Sequence, residues 1–116
     1  MEGVVDYQVE VAESRAQKSR GLMHREHLPL NQGMLFLYDP PRKTAMWMKN
    51  THIPLDMLFI DAEGQILHIE ENTEPMSLDT ISSGGKARAV LELSAGQAAK
   101  QGIRPGDRVE YVISEE

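Results

Sequence analysis

The sequence predicts a mainly β domain, an antiparallel sandwich or a partly closed barrel, with two short helices. Six or seven short segments are apolar or alternate between apolar and polar residues, and turn residues separate them at regular intervals. Strand and helix patterns do not alternate along the chain, which argues against a doubly wound parallel sheet. The chain has 116 residues, close to the common size of one domain, so we expect a single domain over 1–116.

The strand-like segments run almost the whole length of the chain. Single strands are predicted at 6–12, 33–38, 43–48, 87–93 and 108–113, and a β-hairpin is predicted over 55–71. The strand at 33–38 is expected to end at Asp39-Pro40-Pro41, because proline cannot donate a hydrogen bond to a neighbouring strand.

Two helices, at about 15–20 and 95–101, are predicted from one repeated pattern. Ser14 and Ser94 each begin a Ser-x-x-Gln sequence, which is typical of a capping box at a helix start. Gly21 and Gly102 follow at the positions where a helix ends in a left-handed residue. Helices this short are not stable alone and must pack on the strands.

The composition argues against several classes of function. The net charge is −6 and the basic residues form no long stripe, so nucleic-acid binding is not expected. The basic residues near the first helix, Arg15, Lys18, Arg20 and Arg25, are interpreted as complementing its dipole. No apolar run approaches the roughly 18 residues of a membrane span, and the chain has no cysteine. The histidine spacings match no zinc motif, so neither a metal nor a cofactor is predicted.

Three charged residues stand within or beside apolar segments. Lys49 follows Met46-Trp47-Met48, Asp56 lies inside the apolar run 55–60, and Glu92 lies between two leucines. A carboxylate on an apolar strand face needs hydrogen bonds or a cation, or its pKa rises. A Lys49–Asp56–Glu92 cluster is therefore a candidate pocket floor, with a structural ion pair or a simply wet strand face as the alternatives.

We predict that the domain binds a small polar or carbohydrate-like ligand, or a protein partner, without catalysis. Lys49 would supply charge, Trp47 a stacking face, and the other residues hydrogen bonds. The predicted ligand-binding residues are Trp47, Lys49, Asn50, Thr51, Asp56 and Glu92. One alternative is a hydrolase that uses the Asp56/Glu92 carboxylate pair. Another is a structural or protein-interaction module, and the pattern leaves the oligomeric state open.

Some segments of the chain are more distinctive than general strand, turn and helix patterns. Among them are "RGLMHREHLPLNQGMLFLY", "WMKNTHIPLDMLFID", "AVLEL" and "GIRPGD". Together, over residues 7–112, they resemble a prokaryotic family catalogued as domain of unknown function 192. The resemblance implies a jelly-roll-like β fold and, because family members are commonly exported or membrane-anchored, a periplasmic or extracytoplasmic location. It implies no established activity. The matching positions include Gly33, Trp47, Lys49, Asn50, Thr51, Asp56, Glu92 and Gly96.

Overall fold

A computed structural model describes residues 3–112 of the chain. Its elements, in order, are β1 (Gln8–Ala12), α1 (Arg15–Arg20), β2 (Gln32–Met46), β3 (Leu55–Ile60), β4 (Ile66–Glu70), β5 (Ile81–Ser94) and α2 (Gln97–Gln101). The strands form one five-stranded sheet in the order β1-β2-β5-β3-β4, which is not closed into a barrel. The predicted mainly β fold with two short helices is confirmed.

The pairing is antiparallel between all neighbouring strands of this sheet except β1 and β2, which run parallel. The hairpin predicted over 55–71 is confirmed as β3 and β4, whose ladder includes the pair Leu58 and Ile69. This hairpin has a local cause, since its strands are strongly apolar and the five residues between them contain the turn glycine Gly64.

The predictions at 33–38 and 43–48 were wrong in one respect, because 33–38 and 43–46 are parts of the single strand β2, which ends at Met46 before residues 47 and 48. The chain does not leave the sheet at Asp39-Pro40-Pro41. Instead, the register with β5 shifts between Leu37 and Arg42, so the prolines lie where the ladder is interrupted and their missing N–H groups are not needed.

The start of β5 and the strand predicted at 108–113 also differ from the prediction. β5 begins at Ile81, six residues before the predicted start, since its first half pairs with the end of β2. The strand predicted at 108–113 does not form over 109–112, and Arg108 makes only an isolated bridge with Gln65. Residue 113 lies outside the described residues.

The capping prediction holds for the first helix and fails for the second. The Ser14 hydroxyl accepts a hydrogen bond from the Gln17 N–H at 3.0 Å, and the Gln17 side chain accepts one from the Ser14 N–H. Ser94 instead remains in β5 and donates to the carbonyl of Leu28 at 2.8 Å, so α2 begins after Gly96 without a serine cap.

The core lies on both faces of the sheet. One face, which we call face A, carries a cluster that includes Leu22, Phe36, Leu55, Phe59 and Val90. The opposite face, face B, carries a cluster that includes Leu35, Leu58, Ile60, Leu91 and Leu93. Consecutive residues of β3 and β5 alternate between these clusters, as strand geometry requires. Neither helix in residues 3–112 is long and apolar enough to cross a membrane.

Candidate functional site

Glu92 lies at the centre of the sheet, on face A. In the strand register it stands between Met34 of β2 and Met57 of β3. The same row continues to Glu10 on β1 and Glu70 on β4, at the two edges of the sheet. Because β5 is the middle strand, neighbours on both sides cover Glu92, and only 3 % of its surface is exposed.

The three acids of this row differ in their partners. Glu10 is hydrogen-bonded by the Arg25 guanidinium, which lowers the pKa of Glu10, and Glu70 contacts the His68 ring at 3.0 Å. The Glu92 carboxyl group makes no hydrogen bond or ion pair with any residue in the described range 3–112, although the Glu92 backbone pairs with β2 and β3. Burial without a partner raises the pKa of Glu92 to about 8, so its carboxyl group is mostly protonated at neutral pH.

Glu92 lines a cavity of about 450 Å³, here called the Glu92 cavity. Five of its lining side chains are cationic: Arg15, Lys18, Arg20, Arg42 and Lys49. Its apolar and aromatic wall includes Leu22, Phe36, Tyr38, Met46 and Trp47. The volume lies within the range of roughly 300–1,000 Å³ that is usual for small-molecule sites.

Helix α1 and the second half of β2 hold the cations on one side of the cavity. The Lys18 ammonium donates to the carbonyl of Leu37 at 2.8 Å and lies 4.3 Å from the centre of the Tyr38 ring. The Arg42 guanidinium lies 5.1 Å from the same ring. Burial, and then the nearby positive charge of Arg42, lower the pKa of Lys18. The two cations are therefore close enough to repel each other.

The turn that follows β2, residues 47–51, forms the other side of the Glu92 cavity. Trp47 is 44 % exposed, and the Lys49 ammonium lies 5.2 Å from its ring centre. The Thr51 hydroxyl is buried and donates to the carbonyl of Lys49 at 3.1 Å, which fixes the turn. Asn50 has a left-handed backbone (φ 54°), accepts the His24 N–H at 2.8 Å through its carbonyl, and lines a more open depression beside the cavity.

Asp56 has a different role, on face B. It is completely buried and accepts three backbone N–H groups: from Asn72 at 3.0 Å, Gly96 at 3.1 Å and Ala98 at 2.9 Å. These bonds tie the first turn of α2 and the chain after β4 to the start of β3. The carboxylate of Asp56 thus provides the cap that Ser94 was expected to give.

The predicted Lys49–Asp56–Glu92 cluster is therefore wrong. Asp56 pairs with Leu93 in the register and Glu92 pairs with Met57, so the two carboxylates point to opposite faces of the sheet. For the same reason they do not share the cleft that a glycoside hydrolase needs. Of the six predicted site residues, Trp47, Lys49, Thr51 and Glu92 line the Glu92 cavity, Asn50 lines the depression beside it, and Asp56 lines neither.

Sequence reasoning missed the cationic wall of the cavity. The dipole interpretation of Arg15, Lys18 and Arg20 is incomplete, because all three also line the Glu92 cavity. Arg42 and Tyr38 were not singled out. The one available signal was the requirement that a six-residue helix pack on the sheet, which brings its basic residues near other side chains. Within the described residues, no group of three or more His, Asp or Glu side chains could hold a metal ion.

Comparison with known proteins gives a family and two similar structures. The family model of DUF192, described as "Uncharacterized ACR", matches residues 1–111. A protein of unknown function from Novosphingobium aromaticivorans is 39 % identical, with a TM-score of 0.89 over 90 % of this chain and 75 % of that one. A Sinorhizobium meliloti protein described as a "putative transcription regulator" is 46 % identical, with a TM-score of 0.86 over 88 % of this chain and 79 % of that one. Among curated proteins there is no significant match.

Proposed function

The chain belongs to the uncharacterised DUF192 family, and from the geometry of the site we propose that it binds a small polar ligand in the Glu92 cavity without transforming it. The observation that carries this proposal is that Glu92 is buried and its carboxyl group has no partner among residues 3–112, yet the residue lines an open cavity. A ligand that hydrogen-bonds to the Glu92 carboxyl group would supply the partner that the described residues do not provide.

The other lining residues support binding rather than catalysis. Glu92 is the only acid among the described residues that line the cavity, so no second carboxylate is placed to act with it. Trp47 offers an exposed ring face for stacking and Lys49 a charged donor beside it. Thr51 holds the turn that presents both.

The proposal is tested by an NMR screen of small polar fragments, neutral and charged, against the ¹⁵N-labelled protein. We expect at least one fragment to shift amide signals of the cavity wall, such as Gly21, Trp47 and Thr51. The substitution Glu92→Leu should abolish these shifts, because it removes the polar group from the floor. Glu70→Gln is the matched control, since Glu70 lies in the same row but is partly exposed and bonded to His68.

Two outcomes would refute the proposal. In the first, every fragment that binds shifts signals outside the cavity wall. In the second, fragments bind Glu92→Leu as well as they bind the wild type.

Protein-partner binding and the extracytoplasmic location stay predictions, and the location rests on the family resemblance alone. Fractionation of cells that express the full-length natural gene would test the location. Recovery with periplasmic or membrane markers is expected, and recovery with cytoplasmic markers would contradict it.

A further inference from the structure

Building on the proposed function, we infer that the ligand of the Glu92 cavity is a small organic anion, an aryl phosphate or carboxylate whose ring lies against Trp47. The inference rests on three features of the cavity wall: its charge, the position of its single acid, and its aromatic side.

The first feature is the concentration of positive charge. The whole chain carries a net charge of −6, yet five of its twelve lysine and arginine residues line this one cavity. No carboxylate among the described residues forms an ion pair with any of the five. A cleft lined by one sign of charge attracts the opposite charge, and guanidinium groups match phosphate and carboxylate geometry. An anion would also relieve the repulsion between Lys18 and Arg42.

The second feature is the acid at the centre of the row. Burial raises the pKa of Glu92 to about 8, so at neutral pH this group adds almost no negative charge and its O–H can donate to an anion.

The groups that surround Glu92 are cations, a tyrosine, residues that do not titrate, and acids that already have a partner. Helix α1, β2 and the turn after it contribute the cations Arg15, Lys18, Arg20, Arg42 and Lys49, together with Tyr38. On β3, Leu55 and Met57 are the face A neighbours and neither titrates. The acids of the edge strands, Glu10 and Glu70, are each bonded to a base.

The third feature is the aromatic and apolar side of the cavity. Trp47 presents 44 % of its surface to solvent, and Phe36 and Met46 line the same space. These surfaces can cover a flat ring, whereas a bare inorganic anion would leave them in contact with water. The expected ligand therefore joins a ring to an anionic group.

Trp47 is the only tryptophan in the chain, so its fluorescence reports directly on the cavity. The experiment titrates the full chain with phenyl phosphate, phenyl β-D-glucoside and inorganic phosphate at equal ionic strength. We expect phenyl phosphate to bind at least about tenfold more tightly than either of the others. It exceeds the glucoside because one charge-assisted hydrogen bond alone is worth about that factor, and it exceeds inorganic phosphate because its ring covers apolar surface. Arg42→Glu should weaken its binding at least about tenfold. Lys100→Glu is the matched control, since Lys100 is an exposed residue of α2 that does not line the cavity.

The pH dependence adds a readout that a general attraction of anions would not give. Between about pH 7 and 9 the Kd of phenyl phosphate should rise about tenfold as Glu92 ionises, while the phosphate itself stays mostly a dianion. Glu92→Gln should remove this change, so that the Kd values of phenyl phosphate at about pH 7 and pH 9 become nearly equal.

The outcomes separate the two proposals. If the glucoside binds at the cavity as tightly as phenyl phosphate, the polar-ligand function stands and the anion inference is wrong. If inorganic phosphate binds as tightly as phenyl phosphate, the ring has no part in recognition and the inference of an aryl anion is wrong. If Glu92→Gln keeps the wild-type pH dependence, Glu92 is not the group that contacts the anion. If none of the three probes changes Trp47 emission or any cavity amide, the inference fails, and the polar-ligand proposal then depends on the fragment screen.

Discussion

Replacing Glu92 by glutamine should remove most of the loss of stability that the wild-type protein suffers between about pH 5 and 9. The substitution hardly changes the shape of the side chain, because glutamine and glutamic acid have nearly the same volume. At high pH it does change the charge of the side chain, because glutamine stays neutral where Glu92 ionises. The free energy of unfolding of the two proteins should therefore be similar near pH 5 and should diverge as the pH rises.

The magnitude follows from the burial of Glu92. Its pKa is about 8 in the folded chain against an ordinary value of 4.5. Between these values the folded state keeps a proton that the unfolded state has released, so stability is full below the lower value and is lost as the pH rises through the higher one. Each pH unit corresponds to about 1.4 kcal/mol, so the total loss is about 5 kcal/mol. Domains of this size are stable by only about 5–15 kcal/mol, which makes the effect readily measurable.

The assay is urea denaturation at several values between about pH 5 and 9, with the free energy obtained by linear extrapolation. Comparing the variant with the wild type at each pH cancels the other titrating groups. Glu70→Gln, in the same row of the sheet but partly exposed and bonded to His68, should leave the wild-type slope unchanged. The reasoning is refuted if Glu92→Gln keeps the wild-type slope, since Glu92 would then be ionised and stabilised by a partner at neutral pH.

Two other predictions concern the scaffold around the cavity. Asp56→Ala should lower the free energy of unfolding by about 3–5 kcal/mol, because three N–H groups, of which that of Ala98 is buried and the others are partly buried, lose their acceptor. Asp61→Ala removes the acceptor of two N–H groups in an exposed turn and should cost only about 1 kcal/mol, so equal losses would contradict this role of Asp56. Gly33→Ala should destabilise by about 1–3 kcal/mol, because its Cβ would lie 2.5 Å from the Glu92 carbonyl oxygen. Gly85→Ala meets its nearest neighbour at 3.5 Å and should change the Tm little, and equal Tm shifts would show that the approach of β2 to β5 is not tight.

The features of the fold that were predictable from the sequence are those with local causes. The β3–β4 hairpin follows from two apolar segments around a glycine turn, and the α1 capping box needs only Ser14 and Gln17. The course of β2 through its prolines was not predictable in this way. It depends on pairing with β5, more than thirty residues further along the chain, and on the register shift that removes the need for the proline N–H groups.

The candidate site was predictable to a similar extent. A carboxyl group among apolar strand residues drew attention to Glu92, and a polar turn after apolar residues drew attention to Trp47 and Lys49, all of which line the cavity. Which face Asp56 occupies relative to Glu92 depends on the register of β3 against β5, where a shift of one residue reverses every side chain. The cations of α1 reach the cavity only because the helix packs over it, and no local pattern specifies where a helix packs.

The most direct test of the account is a ¹³C NMR titration of the Glu92 side-chain carboxyl, without and with saturating phenyl phosphate. The account predicts a midpoint near pH 8 in the free protein. It also predicts a higher midpoint in the complex, because a bound anion disfavours the ionised form. A midpoint near the ordinary value of 4.5 would show that Glu92 has a stabilising partner. A midpoint that phenyl phosphate leaves unchanged would show that the anion does not bind beside Glu92.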